Sequence, residues 1–525
     1  MSKHIDDNLW IIGLASHENL AWAFFMTATL WLAVTFFYWR HPGGPAWGKY
    51  YYSSSCTKNP PIPGPKGWPL IGSMGLMGSL AHQRIADSAS ACGGKRLMAL
   101  SLGETRVVVT CEPDVAKEIL NSSVFGDRPV KESAFRLMFN RAIGFASYGV
   151  YWRSLRRISA NHLFSPSQIK TSQLQRSQIA NQMLLYLANN RHQSLRVRQL
   201  LKKASLANMM CSVFGQQHDS PMAELGRLVD EGYQLLGLFN WADHLPFLSH
   251  LDLQKISFRC SNLVTMVNRL LTTIIAQHQA TNTQTNRDFL HVLLSLPQPD
   301  QLSHSDIIAV LWEMIFRGTD TVAILMEWIL ARMVLHPQVQ SRVQEELDAV
   351  VGRSRAVTED DVPSMTYLQA VVKEVLRLHP PGPLLSWARL STTDTTIDGY
   401  HVPAGTTAMV NMWAICRDPD VWADPLEFMP HRFLATAEPG PGPGPGPDFS
   451  ILGSDLRLAP FGSGRRVCPG KTLGLATVHF WVASLLHDFQ WLPSDEKGVD
   501  LTEVLRLSCE MANPLTVKVR PRRGG

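Results

Sequence analysis

The 525-residue sequence is 45% hydrophobic and 18% charged, so it can bury a large core and is neither disordered nor a small disulfide-dependent scaffold. Its 49 Lys and Arg against 44 Asp and Glu leave a net charge of +5 without a long basic block, which argues against nucleic acid as the main partner. The 8 cysteines are scattered without a C-x-x-C pair, which indicates neither a zinc module nor a disulfide framework and favours a cytosol-facing compartment.

The first predicted element is a membrane anchor. Residues 20–39 (LAWAFFMTATLWLAVTFFYW) carry no formal charge, and about twenty helical residues match the roughly 30 Å hydrocarbon core of a bilayer. The run is too long and too aromatic for a cleaved signal peptide. Because acidic residues precede it while Arg40 and Lys49 follow, residues 1–19 are predicted to be a short lumenal tail and the rest cytosolic. The alternative is a buried core helix.

A linker and proline-rich hinge are predicted for residues 40–69. The prolines of PPIPGPKGWP (60–69) fix φ and bias the residues before them toward extended conformations. Such a segment can be a stiff spacer between an anchor and a soluble domain, and an ordinary loop is equally compatible with it.

Residues 70–525 are predicted to form one mainly α domain with small β-sheets. Apolar residues recur at helical spacing over 168–189, 302–335 and 366–379. Strands are predicted for RVVVT (106–110), in a hairpin with LMALSLG, and around the DG turn within 395–410. The repeat PGPGPGPGP over 439–447 indicates a flexible surface loop.

The most informative motif is PFGSGRRVCPG, in which Phe461, Gly464, Arg466, Cys468 and Gly470 match F-x-x-G-x-R-x-C-x-G. The glycines allow a tight turn and close approach to a flat cofactor. The cysteine precedes a helical run, where N–H groups and the helix dipole favour a thiolate. A thiolate at that position can be an axial ligand of haem iron.

This loop resembles that of the cytochrome P450 superfamily, and the resemblance extends over nearly all of residues 20–525. It implies the cytochrome P450 fold preceded by a single transmembrane helix, haem b as cofactor, and Cys468 as the ligand of the haem iron. Glu374 and Arg377 match the family's E-x-x-R, and with Arg432 they imply a three-residue network that holds the scaffold of the cysteine loop. His431 stands where the family has an acidic residue.

Further matches concern the haem propionates. Trp152 and Arg156 match W-x-x-x-R, and their i, i+4 spacing points both side chains to one side of a helix, where both could donate to a propionate. Arg466 and Arg389 are expected to add positive charge there.

In FRGTDTVA, Gly318, Asp320 and Thr321 match the family's oxygen-activating helix. Gly318 is expected to leave room for dioxygen, Thr321 to donate a hydrogen bond to its distal atom, and Asp320 to relay protons. A mid-helix threonine that bonds its own i−4 carbonyl is the alternative. Arg317 and Val322 depart from the family pattern, and Arg317 is expected to pair with Glu313 or Asp320, or else to bind an anionic substrate.

Together, FRGTDTV, PGPKGWPLIGS and GVYWRSLRR are similar to the plant 78A subfamily, endoplasmic-reticulum enzymes associated with organ growth and leaf initiation. The resemblance implies a single-pass membrane monooxygenase that oxidises an apolar or fatty-acid-like substrate with electrons from NADPH through cytochrome P450 reductase. Two alternatives stay open, an isomerase or dehydratase that needs no external electrons and a noncatalytic membrane-tethered interaction protein. The pocket is predicted to involve 135–150, the Arg317 helix, and Leu384, Leu385 and Trp387.

Overall fold

The computed structural model describes residues 3–53, 60–215, 219–281, 288–385, 388–434, 449–494 and 498–522. The predicted loop at 439–447 and the predicted pocket residue Trp387 lie outside these ranges. The helices are α1 (Lys3–Trp39), α2 (Pro45–Ser53), α3 (Ala81–Ala91), α4 (Pro113–Asn121), α5 (Glu132–Arg136), α6 (Val150–His162), α7 (Pro166–Thr171), α8 (Gln173–Asn189), α9 (Val197–Phe214), α10 (Asp219–Gly237), α11 (Ile256–Thr281), α12 (Phe289–Leu294), α13 (His304–Leu335), α14 (Pro337–Val350), α15 (Thr366–Leu378), α16 (Met412–Ile415) and α17 (Lys471–Asp488).

Short strands form four small sheets beside these helices. The strands are β1 (Met98–Leu102), β2 (Thr105–Thr110), β3 (Leu195–Arg196), β4 (Arg389–Leu390), β5 (Thr395–Ile397), β6 (Tyr400–Val402), β7 (Thr407–Val410), β8 (Phe489–Pro493), β9 (Glu503–Leu505), β10 (Cys509–Met511) and β11 (Thr516–Pro521). Both predicted hairpins are present: β1 pairs antiparallel with β2, and β5 with β6. The second turns at Asp398 and Gly399, both at positive φ, as a two-residue type I′ turn requires. β7 then pairs parallel with β2.

Helix α13 is the central element of the helical part. The Ser303 side chain caps it by accepting from the Asp306 N–H, and Pro337 follows its end. Its first half is packed in one apolar cluster and its last third in another, while residues 317–321 lie between the two clusters. The polar stretch RGTDT therefore lies at the junction of the two cores.

The N-terminal region is only partly separate from the rest of the chain. Among the described residues, one helix is long and apolar enough to cross a membrane, 19–39. None of its apolar stretch is buried, although at its end Trp39 Nε1 donates to the Gly67 carbonyl at 2.8 Å. The start of the predicted linker packs on the domain, because Trp47 is buried and Ser101 Oγ both accepts from the Ala46 N–H and donates to the Gly43 carbonyl, while the spacer role of 60–69 stays a prediction. Residues 43–47 thus pack on β1.

Candidate active site

A cavity of about 290 Å³ lies between α13 and the cysteine loop. Its wall is mostly apolar, yet it includes five arginines and, among the described lining residues, a single acid, Glu313. Apolar cavities with a few polar groups are typical of small-molecule sites. The lining side chains used below are Arg128, Trp152, Arg156, Glu313, Arg317, Thr321, Leu385, Arg389, Phe461, Arg466 and Cys468.

Cys468 lines this cavity, three residues before α17 begins, and its side chain is accessible from within the cavity. Its N–H donates to the Phe461 carbonyl at 3.0 Å, which closes the loop. Gly464 has a φ of 68°, and a Cβ there would collide with the Leu120 carbonyl, so this motif glycine is required by a turn and a close approach. Burial raises the pKa of the Cys468 thiol, although the Gly470 N–H and the Arg156 charge oppose that effect. Because a metal ion deprotonates a thiol that coordinates it, a bound metal ion would overcome this raised pKa.

Four arginines converge on the same cavity. Burial lowers the pKa of Arg389 to about 9 and that of Arg466 to about 10, and it also lowers the pKa values of Arg128 and Arg156. Arg389 is 5% exposed, and its Nε and Nη1 have no hydrogen-bond partner in the described part of the chain. Buried cations of this kind are costly unless an anion pairs with them.

These features fit a haem. Its flat ring carries two propionates that could pair with the arginines, and its iron could accept the Cys468 thiolate, so both unsatisfied features of the cavity would be met by one group. Arg128 was not predicted from the sequence, because it belongs to no motif or helical spacing and joins the cluster only through the fold.

Trp152 and two of the predicted arginines bond to backbone carbonyls. Trp152 Nε1 donates to the Ile143 carbonyl at 3.0 Å, and its role as a propionate donor stays a prediction. Arg156 Nη1 donates to the Val467 carbonyl at 2.9 Å, beside the cysteine. Arg466 donates to the carbonyls of Gly126, Ile143 and Ala146.

The α13 residues divide between the cavity and the neighbouring helix. Thr321 lines the cavity, and its Oγ1 donates to the Arg317 carbonyl over a long 3.4 Å, the local bond that was the alternative to a cavity role. A Cβ at Gly318 would collide with Met209 of α9, so this glycine permits close helix packing as well as lining the cavity.

Asp320 does not line the cavity among its described residues; its Oδ1 lies 3.0 Å from Lys202 Nζ on α9. Lys202 also pairs with Asp230, which is 56% exposed, at 2.9 Å. Burial raises the pKa of Asp320 to about 6, although the Lys202 charge opposes this. Lys202 was not foreseen, because its sequence position gives no sign of the carboxylate it meets.

Arg317 pairs with Glu313, one of the two predicted partners, at 2.8 Å. The Glu313 side chain is fully buried, and both of its oxygens accept from the Gly144 N–H, at 2.9 and 3.0 Å. The other predicted partner, Asp320, is taken by Lys202.

The E-x-x-R residues form the expected contacts. Arg377 binds both oxygens of Glu374, at 2.7 and 2.8 Å, and Arg432 Nε lies 3.2 Å from Glu374 Oε1. Arg432 also donates to the carbonyls of Ala423 and Asp424, so the arginine keeps its place although His431 is exposed.

The predicted pocket segments contribute unequally. Leu385 lines the cavity, whereas Leu384 packs against a separate apolar cluster around β1 and β2. Of the segment 135–150, Ile143 and Gly144 line the cavity, while Phe135 is exposed at the surface. These contributions differ because, among the described residues of 135–150, the chain reaches the cavity wall only at the short turn of 143 and 144.

A second thiol, Cys509, lies close to His82 and Glu503, with ligand atoms within 4.8 Å of one another. It is buried, is not among the described cavity-lining residues, and burial raises its pKa well above the usual range. Although burial acts the other way, hydrogen bonds from His379 and His82 lower the pKa of Glu503. The Cys509 thiol therefore belongs to a paired network beside the cavity, which the adjacent Ser508 lines.

Comparisons with known proteins agree with this architecture. The Cytochrome P450 family model matches residues 62–513. Cytochrome P450 78A3 of Glycine max is 76% identical over 100% of both chains, and Cytochrome P450 78A6 of Arabidopsis thaliana is 63% identical over 97% of this chain and 96% of its own. A zebra fish cytochrome P450 solved with abiraterone has a TM-score of 0.71 at 26% identity and covers 85% of this chain and 100% of its own. The chain therefore belongs to the cytochrome P450 family, is a monooxygenase of that family, and resembles its plant 78A members.

Proposed function

We propose that the chain is a membrane-anchored haem-thiolate monooxygenase that inserts one oxygen atom from O2 into an apolar, fatty-acid-like substrate. The observation that carries this proposal is a cavity that combines the Cys468 thiol with the buried Arg389, whose Nε and Nη1 have no hydrogen-bond partner among the described residues. Cys468 is preferred to Cys509 as the iron ligand because its thiol faces the cavity, whereas Cys509 is enclosed by paired charges.

When bound, haem supplies the oxygen-activating chemistry, and a thiolate ligand favours O–O cleavage. The chain's own part begins with charge: Arg128, Arg156, Arg389 and Arg466 would hold the two propionates. Phe461 would cover one side of the sulfur and exclude water from it.

Proton delivery is proposed to run from α10 through α9 to α13. The chain of charges from exposed Asp230 through Lys202 to buried Asp320 leads inward from the surface. With its pKa near 6, Asp320 can gain and release a proton close to neutral pH. Thr321, whose hydroxyl is held only by a long bond, can turn to donate to an oxygen atom in the cavity.

The remaining cavity wall favours an apolar substrate. Phe316, Val322, Leu325 and Leu385 line it, and their side chains offer contact area without hydrogen bonds. The helix at 19–39 supports an anchor in the endoplasmic reticulum membrane, with the catalytic domain in the cytosol beside NADPH–cytochrome P450 reductase. A role in plant organ growth rests on the resemblance to 78A proteins.

The test is reconstitution of the full chain with haem, NADPH, reductase and a series of fatty acids under isotopically labelled dioxygen. We expect reductase-dependent product that carries one labelled oxygen atom. Thr321→Ala should keep haem and substrate binding while product per NADPH falls roughly tenfold, less than the loss typical of a direct acid–base group. Rearrangement of a fatty acid hydroperoxide without NADPH, with no labelled product, would instead establish the isomerase or dehydratase alternative.

A further inference from the structure

The ion pair on α13 is joined to the loop that precedes α6, here called the 142–146 segment. Glu313 accepts the Gly144 N–H with both carboxylate oxygens, and the Arg317 guanidinium carbon lies 5.6 Å from the centre of the Phe145 ring. One charged pair therefore contacts two successive residues of the segment, through a charge-assisted hydrogen bond and a cation–π contact.

The segment is shaped to receive the pair. A Cβ at Gly144 would collide with both Arg317 Nη2 and Glu313 Oε1. Ala142, Ile143, Phe145 and Ala146 are all buried, so the segment is fixed on its other side by packing. A side chain at this position would force the ends of Arg317 and Glu313 to shift.

The same segment holds groups that face the haem site. The Ile143 carbonyl accepts from Trp152 Nε1 at 3.0 Å and from Arg466 Nη1 at 3.2 Å. The Ala146 carbonyl accepts from Arg466 Nη2 at 2.7 Å. A displacement of the segment would therefore change where the Arg466 guanidinium points.

We propose that Arg317 and Glu313 are positioning residues that fix the 142–146 segment and, through it, the orientation of Arg466 toward the haem propionates. The link to haem rests on the proposed function, whereas the fixing of the segment does not. The pair contacts the 142–146 segment, and the segment in turn contacts Arg466.

The alternative use of Arg317, as an anchor for a substrate carboxylate, is less favoured by these contacts. Its Nε is bound to Glu313 at 2.8 Å, and the guanidinium lies over Phe145. A substrate carboxylate on the same guanidinium would lie beside the buried Glu313 carboxylate, and like charges in a low-dielectric site repel strongly.

The experiment compares the haem-loaded full chain with Arg317→Ala. Hydrogen exchange of peptides covering 142–149 should be about tenfold faster in the variant, as expected when one charge-assisted hydrogen bond is lost. Transfer of haem to excess apomyoglobin should accelerate by a similar factor. The matched control is Arg198→Ala, which removes the arginine from Glu327, another buried glutamate of α13, and touches no residue of the segment. It should leave both rates within about twofold of the wild type.

A second variant keeps the test decisive if Arg317→Ala folds poorly. In Arg317→Ala/Glu313→Gln, a neutral amide oxygen can still accept the Gly144 N–H, so protection of 142–149 should partly return. Unchanged exchange in Arg317→Ala, with selective loss of binding for a fatty acid but not for its methyl ester, would overturn the positioning role in favour of a substrate anchor. Faster exchange with unchanged haem transfer would overturn only the proposed effect on Arg466 and not the fixing of the 142–146 segment. The proposed function is tested separately, by loss of the thiolate spectrum in Cys468→Ser.

Discussion

Two buried arginines near the cysteine loop differ in how completely their donors are paired. Arg377 directs hydrogen bonds from its three nitrogens to five acceptors: both oxygens of Glu374 and the carbonyls of Cys416, Pro425 and Glu427. Arg389, almost as deeply buried, donates only to the Ser463 carbonyl at 3.3 Å in the described part of the chain. A buried cation that the protein satisfies by itself stabilises the fold, whereas one left unsatisfied is arranged for a ligand.

The largest effect is expected from breaking the satisfied network. Arg377→Ala leaves the Glu374 carboxylate buried without its main partner, which should lower the free energy of unfolding by about 3–5 kcal/mol. Urea unfolding of the haem-loaded protein measures this. Arg136→Ala, which breaks an exposed i, i+4 pair with Glu132, is the control and should cost less than about 1 kcal/mol. An equal decrease in the free energy of unfolding for the two variants would contradict the conclusion that the Arg377 network stabilises the fold.

Asp320 is paired less completely than Arg377 and more completely than Arg389. Lys202 is its partner, and burial still raises its pKa from 3.8 to about 6. Between these values the native state binds more protons than the unfolded state, so this group makes the free energy of unfolding fall as the pH rises, by roughly 3 kcal/mol in total. Asp320→Asn lacks this contribution. Unfolding at about pH 4 and pH 7 should therefore show a steeper loss in the wild type, and parallel profiles would contradict the raised pKa.

The smallest effect on stability is expected at the unsatisfied cation. Arg389→Leu removes a buried charge that lacks partners, so the haem-free chain should be no less stable than the wild type, within about 1 kcal/mol. Haem transfer to apomyoglobin should instead be about tenfold faster, because one propionate partner is lost. Arg465→Leu, which changes an exposed neighbour of Arg466, is the control and should leave haem transfer unchanged. A destabilised haem-free chain with normal haem retention would reverse the comparison.

The features that the sequence predicts are those whose contacts lie close together along the chain. The β-hairpins, helix α13 and the Glu374–Arg377 pair depend on neighbours within a few residues, so spacing alone indicates them. Glu313 and Arg317 were predicted as partners for the same reason.

Partners that meet only through the fold were missed. The Ile143 carbonyl was not foreseen as the acceptor of the Trp152 N–H, because it reaches the indole only where the loop before α6 folds back over it. Lys202 reaches Asp320 only because α9 packs along α13, and the 43–47 segment is held by Ser101 of β1. Such contacts depend on tertiary packing, which no local pattern encodes.

The central claim, that the cavity binds haem through Cys468, is tested most directly by the spectrum of dithionite-reduced protein under carbon monoxide. The wild type and Cys509→Ser should both show the red-shifted Soret band of a thiolate-ligated haem, because the Cys509 thiol belongs to a paired network and is not among the described residues that line the cavity. Cys468→Ser should lose that band, since a serine hydroxyl is a poor donor to haem iron. A red-shifted band that persists in Cys468→Ser, or disappears in Cys509→Ser, would contradict the assignment.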